Sequence, residues 1–258
     1  MTVHVDSRAV VHPTAKLADG VNIGPFAVIG EEVTIGEGTF IAAHAVMERW
    51  TVIGARCRIG TGTVLGGAPQ HQKYDGSPSY LHIGDDNDIR ELVVIHRSMK
   101  PGGSTRLGSH NFIMAQAHIA HDCVLGNHTV VSSLTGLAGH VAVEDGAVIG
   151  GVTGVHQYVR IGAYSMVGGS SRLMQDVPPF LLVAGSPATV YGLNTVGLRR
   201  AGFSAEARRE LKIAYRALYR SGLNVSQALE TIQCQLTPSA PIAHLLQFIE
   251  HSQRGICS

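Results

Sequence analysis

An aliphatic side chain recurs at every sixth position over most of this chain, and glycine often follows it. A six-residue period matches neither the period of about 3.6 residues in an α-helix nor the two-residue alternation of a half-buried strand. It is typical of a parallel β-helix, in which each hexapeptide forms one short strand and one turn. The recurring residues are Ile23, Ile29, Ile35, Ile41, Met47, Ile53, Ile59, Leu65, Ile83, Ile89, Ile95, Leu107, Ile113, Ile119, Leu125, Val131, Leu137, Val143, Ile149, Val155, Ile161, Val167 and Leu173.

Three hexapeptides close one coil, so residues about eighteen apart are expected to stack. A Gly-rich antiparallel sandwich is the competing interpretation, but it requires two-residue alternation over longer strands. The register is interrupted at His71, Ser77 and Pro101. The surrounding segments 67–80 and 98–105 are rich in Gly, Pro and Ser, which predicts two loops that leave the coil. We expect these loops to carry functional residues, as loops on rigid scaffolds commonly do.

After Pro178 the six-residue period ends. The segment PPFLLVAGSPATVYG predicts a connector punctuated by Pro and Gly. From Ser204 onward, SAEARRELKIAYRALYRSG predicts a helix with Ser204 as its N-cap and Gly222 near its end. Two further helices are predicted in NVSQALETIQCQL and PIAHLLQFIEHSQRG. The chain is therefore predicted to be mainly β, a parallel β-helix over residues 1–190 followed by a C-terminal α-helical domain over residues 191–258.

Charge and composition exclude several classes of protein. The 258 residues carry a formal net charge of +1, so nothing indicates binding to nucleic acid or to a membrane surface. No segment approaches the ~18 apolar residues of a membrane span, and the N-terminus does not resemble a signal peptide. The four cysteines include no CxxC pair, which is typical of reduced thiols rather than a structural zinc site. We expect a soluble, cytoplasmic protein without integral membrane contact.

The predicted register gathers five histidines on one side of the coil. Ile119, Leu137 and Val155 share one strand column, and four histidines lie on that column or at its adjoining corner: His118, His121, His140 and His156. His96 joins them if the second loop removes six residues from the coil, and Lys73 in the first loop could reach over the same side. Imidazole rings need polar partners and contribute little to a core, so the cluster indicates a functional site.

Two kinds of chemistry fit these histidines. Zinc needs three or four converging donors, and trimeric β-helix carbonic anhydrases resemble this chain in the hexapeptide repeat. Their H-x-x-x-x-H ligand pair is longer than the pair formed here by His118 and His121. Acid–base catalysis needs one histidine and a carboxylate that orients it, and His121 with Asp122 supplies both residue types. A glycine at a turn, such as Gly139, offers an unshielded N–H for a developing oxyanion.

Several segments together strongly resemble the acyl-carrier-protein-dependent UDP-N-acetylglucosamine O-acyltransferases, namely NDIRELVVIHR, AHIAHDCVLGNH, LAGHVAVEDGAVIGG, VHQYVRIGA and LRRAGFSAEARRELKIAYRALYRSG. The resemblance spans nearly the whole chain. It implies a homotrimer of left-handed parallel β-helices that transfers a fatty acyl group, expected to be 3-hydroxyacyl, from acyl-carrier protein to the 3-hydroxyl of UDP-N-acetylglucosamine. That reaction is the first step of lipid A biosynthesis. No cofactor or metal is implied.

The resemblance also implies a role for individual residues. His121 would be the general base, Asp122 would orient it, and Gly139 would supply the oxyanion N–H. Gly169 would leave room for an acyl chain of roughly fourteen carbons rather than about ten, each methylene contributing ~0.8 kcal/mol when buried. The implied substrate-binding residues are Lys73, His96, His118, His140, His156, Gln157, Asn194 and Arg200.

Three positions depart from the family pattern. His71 stands where an aspartate that contacts the sugar is usual, Val196 where a glutamate is common, and Ala201 where a second arginine is common. These departures leave the catalytic centre intact but affect the groups around the UDP-sugar. A related acyltransferase that uses a different UDP-amino sugar, such as a 3-amino analogue, is therefore the alternative. A zinc-dependent carbonic anhydrase of the γ type is the alternative from another class.

Overall fold

The computed structural model describes residues 2–237 and 239–258 and forms a parallel β-helix followed by helices. Before the first loop the strands are β1 (His4–Val5), β2 (Val10–Val11), β3 (Lys16–Leu17), β4 (Asn22–Ile23), β5 (Val28–Ile29), β6 (Thr34–Ile35), β7 (Phe40–Ile41), β8 (Val46–Met47), β9 (Thr51–Ile53), β10 (Arg58–Ile59) and β11 (Val64–Gly67). Between the loops they are β12 (Tyr80–Ile83), β13 (Asp88–Ile89) and β14 (Val94–His96).

The strands after the second loop are β15 (Ser104–Leu107), β16 (Phe112–Ile113), β17 (His118–Ile119), β18 (Val124–Leu125), β19 (Val130–Val131), β20 (Gly136–Leu137), β21 (Ala142–Val143), β22 (Val148–Ile149), β23 (Gly154–Val155), β24 (Arg160–Ile161), β25 (Met166–Val167), β26 (Arg172–Leu173), β27 (Leu181–Gly185) and β28 (Ala188–Leu193). The helices are α1 (Thr195–Arg200), α2 (Ala205–Tyr219), α3 (Val225–Gln235) and α4 (Ala240–Glu250). None of these helices combines the length and hydrophobicity needed to cross a membrane.

Three parallel sheets form the sides of the coil, because successive strands turn onto successive sides. The first sheet has the order β1-β4-β7-β10-β13-β16-β19-β22-β25-β27-β28, the second β2-β5-β8-β11-β14-β17-β20-β23-β26, and the third β3-β6-β9-β12-β15-β18-β21-β24. Only the pairing of β27 with β28 is antiparallel among the pairs in the described residues. The predicted β-helix is thereby confirmed.

Burial of the recurring aliphatic residue explains the six-residue period. In a two-residue strand the first side chain faces outward and the second points into the coil, as in β4, where Ile23 is fully buried. Ile23 pairs with Ile41 and Ile41 with Ile59, so the stacked residues are eighteen apart as predicted. Full burial of one such side chain contributes about 1.5–3 kcal/mol, and the stack is continuous along the coil.

Both predicted loops leave the coil without disturbing this stack. Leu65 pairs with Ile95 at a separation of 30 residues, and Ile95 pairs with Ile119 at a separation of 24. The first loop therefore ejects twelve residues and the second ejects six. The loops are slightly shorter than predicted, at residues 68–79 and 97–103, because the ends of the predicted segments join strands β11, β12 and β15.

The corners of the coil place non-glycine residues in left-handed backbone conformation. Asp122, His140 and Tyr158 occupy three successive corners between the second and third sheets, with φ of 61°, 63° and 65°. This conformation is uncommon outside glycine, and Asn, Asp and His adopt it more readily than most residues. The recurrence stacks these three side chains along a single edge, which we call the histidine edge.

Arg97 holds the first loop against the coil. Its side chain is buried, and its Nη1 donates to the carbonyl oxygen of Gly66 at 2.7 Å. Nε donates to the hydroxyl of Tyr74 in the loop at 3.3 Å, and the guanidinium lies over the rings of Trp50 and Tyr74, 5.3 and 5.6 Å from their centroids. A cation placed on aromatic faces gains about 0.5–2 kcal/mol. The loop is therefore tied to the coil through Tyr74.

The C-terminal region confirms three predicted helices and corrects the connector before them. Ser204 caps α2, its hydroxyl accepting from the N–H of Ala207 at 3.0 Å. The segment predicted as a connector instead forms the β27–β28 hairpin, which extends the first sheet. The short helix α1 was not predicted. The predicted domain boundary at residue 190 falls inside β28, and the division into two domains stays a prediction.

We predict that Arg97→Ala frees the first loop while the coil stays folded. Loss of the contacts to Tyr74 raises the open population of the loop, so tryptic cleavage after the exposed Lys73 accelerates by about tenfold. Time-resolved proteolysis with mass spectrometry measures the cleavage, and circular dichroism monitors the coil. Arg49→Ala is the matched control, since Arg49 lies over the same Trp50 ring at 4.6 Å but from the coil. Equal cleavage rates in Arg97→Ala and Arg49→Ala would contradict the role of Arg97 in holding the first loop.

Candidate active site

A buried histidine, His96, and a partly buried one, His118, lie side by side on the outer face of the second sheet. His96 ends β14 and His118 begins β17. These two strands are paired in parallel, with Ile95, next to His96, opposite Ile119, next to His118. His118 Nε2 and His96 Nδ1 are 3.2 Å apart and share one hydrogen bond. Burial lowers the pKa of His96 to about 4, helped by the nearby His118, and burial also lowers the pKa of His118. Both rings are therefore neutral donors or acceptors near pH 7.

The catalytic pair predicted from the sequence is assembled on the histidine edge. His121 Nδ1 lies 2.8 Å from Asp122 Oδ2, and the two side chains are 12% and 7% exposed. His140 Nε2 lies 3.8 Å from the same carboxylate oxygen, and its ring meets that of His121 edge-on at 5.3 Å. Tyr158 stacks on His140 at 4.5 Å. The edge therefore arranges one carboxylate between two imidazoles.

The carboxylate of Asp122 has further partners in the second loop, which sequence reasoning missed. The hydroxyl of Ser98 lies 2.5 Å from Oδ1, and the N–H of Met99 donates to Oδ2 at 3.1 Å. Burial by itself raises the pKa of Asp122, but the hydrogen bonds from Ser98, His121 and Met99 outweigh it and leave the pKa below its ordinary value. Asp122 is therefore an ionised acceptor near neutral pH. The general expectation that both loops carry functional residues was the only sequence signal for these partners.

Gly139 allows the His121 ring to approach the backbone. A Cβ at this glycine would lie 2.7 Å from His121 Cε1 and 2.9 Å from Nε2, closer than side chains tolerate. The N–H of Gly139 makes no hydrogen bond to another described residue. The His121 ring therefore lies directly against Gly139, whose backbone donor has no partner among the described residues.

An open groove of about 620 Å³ runs along the second sheet from this point. Its floor contains Gly136 and Gly154, where an added Cβ would meet no atom within 4 Å. Apolar atoms dominate the rest of the floor, and Arg172 lies at its far end on β26. The first loop covers the near end through His71, whose ring meets that of His121 edge-on at 5.6 Å. The groove is suited to a long apolar group reacting beside His121.

The structure brings most of the predicted binding residues to this groove. His118, His156 and Gln157 line it, His96 contacts His118, and His140 contacts His121. Lys73 is exposed on the loop above, where its backbone N–H donates to His71 Nδ1 at 3.2 Å. His128 stacks on His110 at another edge of the coil, outside the site.

Three predicted residues lie elsewhere in the chain. Asn194 caps α1 and donates to the carbonyl oxygen of Tyr164, at a different edge of the coil, and Arg200 ends the same helix. Neither lines the groove. Gly169 is exposed at a third edge, where its Cβ would lie 3.2 Å from the carbonyl oxygen of Gly151, and it does not line the groove either. Its role in chain length stays a prediction.

One group of side chains could hold a metal ion. His121, Asp122 and His140 each offer a ligand atom, and these atoms lie within 4.8 Å of one another. Two imidazoles and a carboxylate are donor types that zinc accepts. Asp122 Oδ2 already accepts hydrogen bonds from His121 and Met99, which a bound metal would have to displace.

Comparison with known proteins places the chain in a family. A family model described as UDP N-acetylglucosamine O-acyltransferase, domain 2, matches residues 176–257, and a bacterial transferase hexapeptide model matches residues 32–67 and 104–139. A UDP-N-acetylglucosamine acyltransferase from Bacteroides fragilis has a similar crystal structure, with a TM-score of 0.97 and 38% identity over 98% of this chain and 100% of that one. The corresponding protein from Acinetobacter baumannii gives a TM-score of 0.94 at 38% identity over 98% and 99% of the two chains.

Curated relatives agree over the full length. The acyl-[acyl-carrier-protein]–UDP-N-acetylglucosamine O-acyltransferase of Syntrophobacter fumaroxidans is 46% identical over 98% of this chain and 99% of its own. That of Thermodesulfovibrio yellowstonii is 47% identical over 98% of each. This protein belongs to the acyl-[acyl-carrier-protein]–UDP-N-acetylglucosamine O-acyltransferase family.

Proposed function

We propose that this protein transfers a fatty acyl group from an acyl-carrier-protein thioester to the 3-hydroxyl of UDP-N-acetylglucosamine, with His121 as the general base. Family membership supports the substrates, and lipid A biosynthesis is the pathway to which the reaction belongs. The observation that carries the mechanism is the 2.8 Å contact between His121 Nδ1 and Asp122 Oδ2 at the head of an apolar groove. We keep a 3-hydroxyacyl donor and a cytoplasmic location as part of the proposal.

The hydrogen bond to Asp122 sets the tautomer of His121. An ionised carboxylate only accepts, so the neutral ring carries its proton on Nδ1 and leaves the lone pair on Nε2 free. Nε2 then takes the proton of the sugar hydroxyl while its oxygen attacks the thioester carbonyl. The carbonyl oxygen becomes an oxyanion that the N–H of Gly139 stabilises. The C–S bond breaks as the intermediate collapses, and the proton passes from His121 to the departing thiolate.

The surrounding polar residues suit the sugar nucleotide. Neutral His96 and His118 offer donors and acceptors to sugar hydroxyls without a charge, and His140, His156 and Gln157 extend the polar rim. Lys73 supplies the positive charge that a diphosphate requires. His71 places an imidazole beside His121, at a position where the sequence resemblance leads us to expect an aspartate. A different UDP-amino sugar is therefore the second candidate substrate, and rates with several sugar nucleotides distinguish the two.

A second copy of the chain explains how Asn194 and Arg200 can take part in substrate binding. These residues lie at a different edge from His121, so they cannot complete the groove of their own chain. In a homotrimer the α1 segment of one subunit can meet the groove of the next, where Asn194 and Arg200 would bind the nucleotide. Four exposed basic residues lie three or four positions apart along α2 and at its C-cap, namely Arg209, Lys212, Arg216 and the capping Arg220, and this basic stripe is suited to an acidic carrier protein.

We predict that His121→Ala lowers kcat by about 10²–10⁴-fold, since that is the usual contribution of a general base. The acyl-transfer assay uses acyl-carrier-protein thioester and UDP-N-acetylglucosamine. His128→Ala is the matched control, because His128 is exposed at another edge and keeps the coil unchanged. Retention of activity within about tenfold in His121→Ala would show that the base is a different group.

We predict that the acyl chain lies on the glycine floor of the groove. Gly154→Leu fills space that the structure leaves open, so kcat/KM falls for donors of roughly fourteen carbons and much less for short ones, at ~0.8 kcal/mol per displaced methylene. Gly192→Leu is the control, since a Cβ there also meets no atom within 4 Å but the residue lies on β28. A parallel loss for all chain lengths would place the acyl group elsewhere.

We predict that His121→Ala and Arg200→Ala complement each other. Each variant alone is impaired, but every mixed trimer has both residues intact at one of its three sites, so about a third of the sites in the mixed trimers are restored. Co-expression with two purification tags isolates the mixed trimers for assay. Failure to recover activity above either variant would place Arg200 outside a shared site.

A further inference from the structure

Ser98 is completely buried in the second loop and faces the catalytic carboxylate. Its Oγ accepts a hydrogen bond from the N–H of Lys100 at 2.9 Å, so its one proton is directed at an acceptor. Asp122 Oδ1 is that acceptor at 2.5 Å, whereas the carbonyl oxygen of Lys100 is 3.4 Å away. A contact this short between a hydroxyl and a carboxylate is a charge-assisted hydrogen bond.

The second loop contacts both oxygens of Asp122. Ser98 donates to Oδ1, and the N–H of Met99 donates to Oδ2, which also receives the proton of His121 Nδ1. From the coil, Thr105 Oγ1 accepts the N–H of Asp122 at 2.8 Å. The carboxylate is therefore held in one orientation, and that orientation points Oδ2 at His121.

We propose that Ser98 is a positioning residue for acyl transfer, holding the Asp122 carboxylate in the rotamer and the charge state that orient His121. The proposal rests on His121 as the general base. Without the hydroxyl, Oδ1 is a buried anionic oxygen without its donor, and such a group rotates or takes up a proton. Either change weakens the hold on Nδ1 and turns Nε2 away from the space beside Gly139. The hydrogen-bond partners of Ser98 are Tyr80, Lys100 and Asp122, and none of them lines the groove, so we expect Ser98 to affect turnover rather than affinity.

The charged and titratable groups around the pair come from the coil and from both loops. Asp122 faces His121 and His140 on the histidine edge, and His71 in the first loop meets His121. Burial lowers the pKa of His140, and the positive charge of Lys100 in the second loop adds to that effect. Ser98 is uncharged, so Ser98→Ala removes one donor to Asp122 without adding or removing a formal charge.

Ser98→Ala tests the proposal in the full-length enzyme. We expect kcat to fall about tenfold to hundredfold and KM for both substrates to stay within about twofold. Ser98→Cys keeps a weak donor of similar shape and gives an intermediate kcat. Ser165→Ala is the matched control, since the Ser165 hydroxyl is equally buried but finds no hydrogen-bond partner among the described residues. Circular dichroism and thermal unfolding establish that each variant is folded.

A double-mutant cycle separates positioning from a general structural effect. In an Asp122→Asn background Ser98→Ala should cause no further loss of kcat, because the residue acts through the carboxylate. An unchanged kcat in Ser98→Ala, or a similar loss of kcat in Ser165→Ala, would overturn the proposal. His121→Ala, assayed in parallel, distinguishes failure of the Ser98 proposal from failure of His121 as the general base. If it is inactive while Ser98→Ala matches the parent, only the role of Ser98 fails, and if it is active the proposed base fails first.

Discussion

Stacking of one aliphatic side chain on another, eighteen residues apart, is the constraint on which the rest of the structure depends. Because each inward side chain is buried by its neighbours above and below, a shift of one residue would expose a whole column to water. The register therefore fixes the outward positions as strictly as the inward ones. His118, Gly136, Gly154 and Arg172 form one outward column of the second sheet, and that column is the groove.

The loops add chemistry that a plain coil cannot supply. Each ejects a whole number of hexapeptides, so the strands on either side keep their pairing while the loop is free to turn back over the face. The first loop brings His71 over His121 and is tied down by Arg97. The second loop brings Ser98 and Met99 to Asp122. Arg97, which holds the first loop, and Ser98, which contacts Asp122, are adjacent in sequence. One short segment therefore supports both the loop over the site and the carboxylate within it.

Part of the site could be predicted from the sequence because the register converts residue number into position. Counting in eighteens places His118, His121, His140 and His156 together, and the assumption of a six-residue loop adds His96. The partners of Asp122 could not be predicted in this way, because loop residues have no place in the period. The β27–β28 hairpin was missed for a different reason. Its Pro and Gly content is typical of a hairpin turn and of an irregular connector alike, so composition did not distinguish the two. The short helix α1 has too few residues to show a helical period.

The sequence by itself determined the coil, its period and the side on which the histidines gather, since these follow from which residues must avoid water. The tertiary structure alone decided the orientation of His121 and Asp122, the proposed catalytic pair. The 2.8 Å contact of His121 with Asp122 depends on a left-handed corner, on the missing side chain of Gly139 and on donors from a loop more than twenty residues earlier. It also decided that Asn194 and Arg200 lie apart from His121 in one chain. Hydrogen-bond geometry and loop paths are set by contacts distant in sequence, and no local pattern of residues records them.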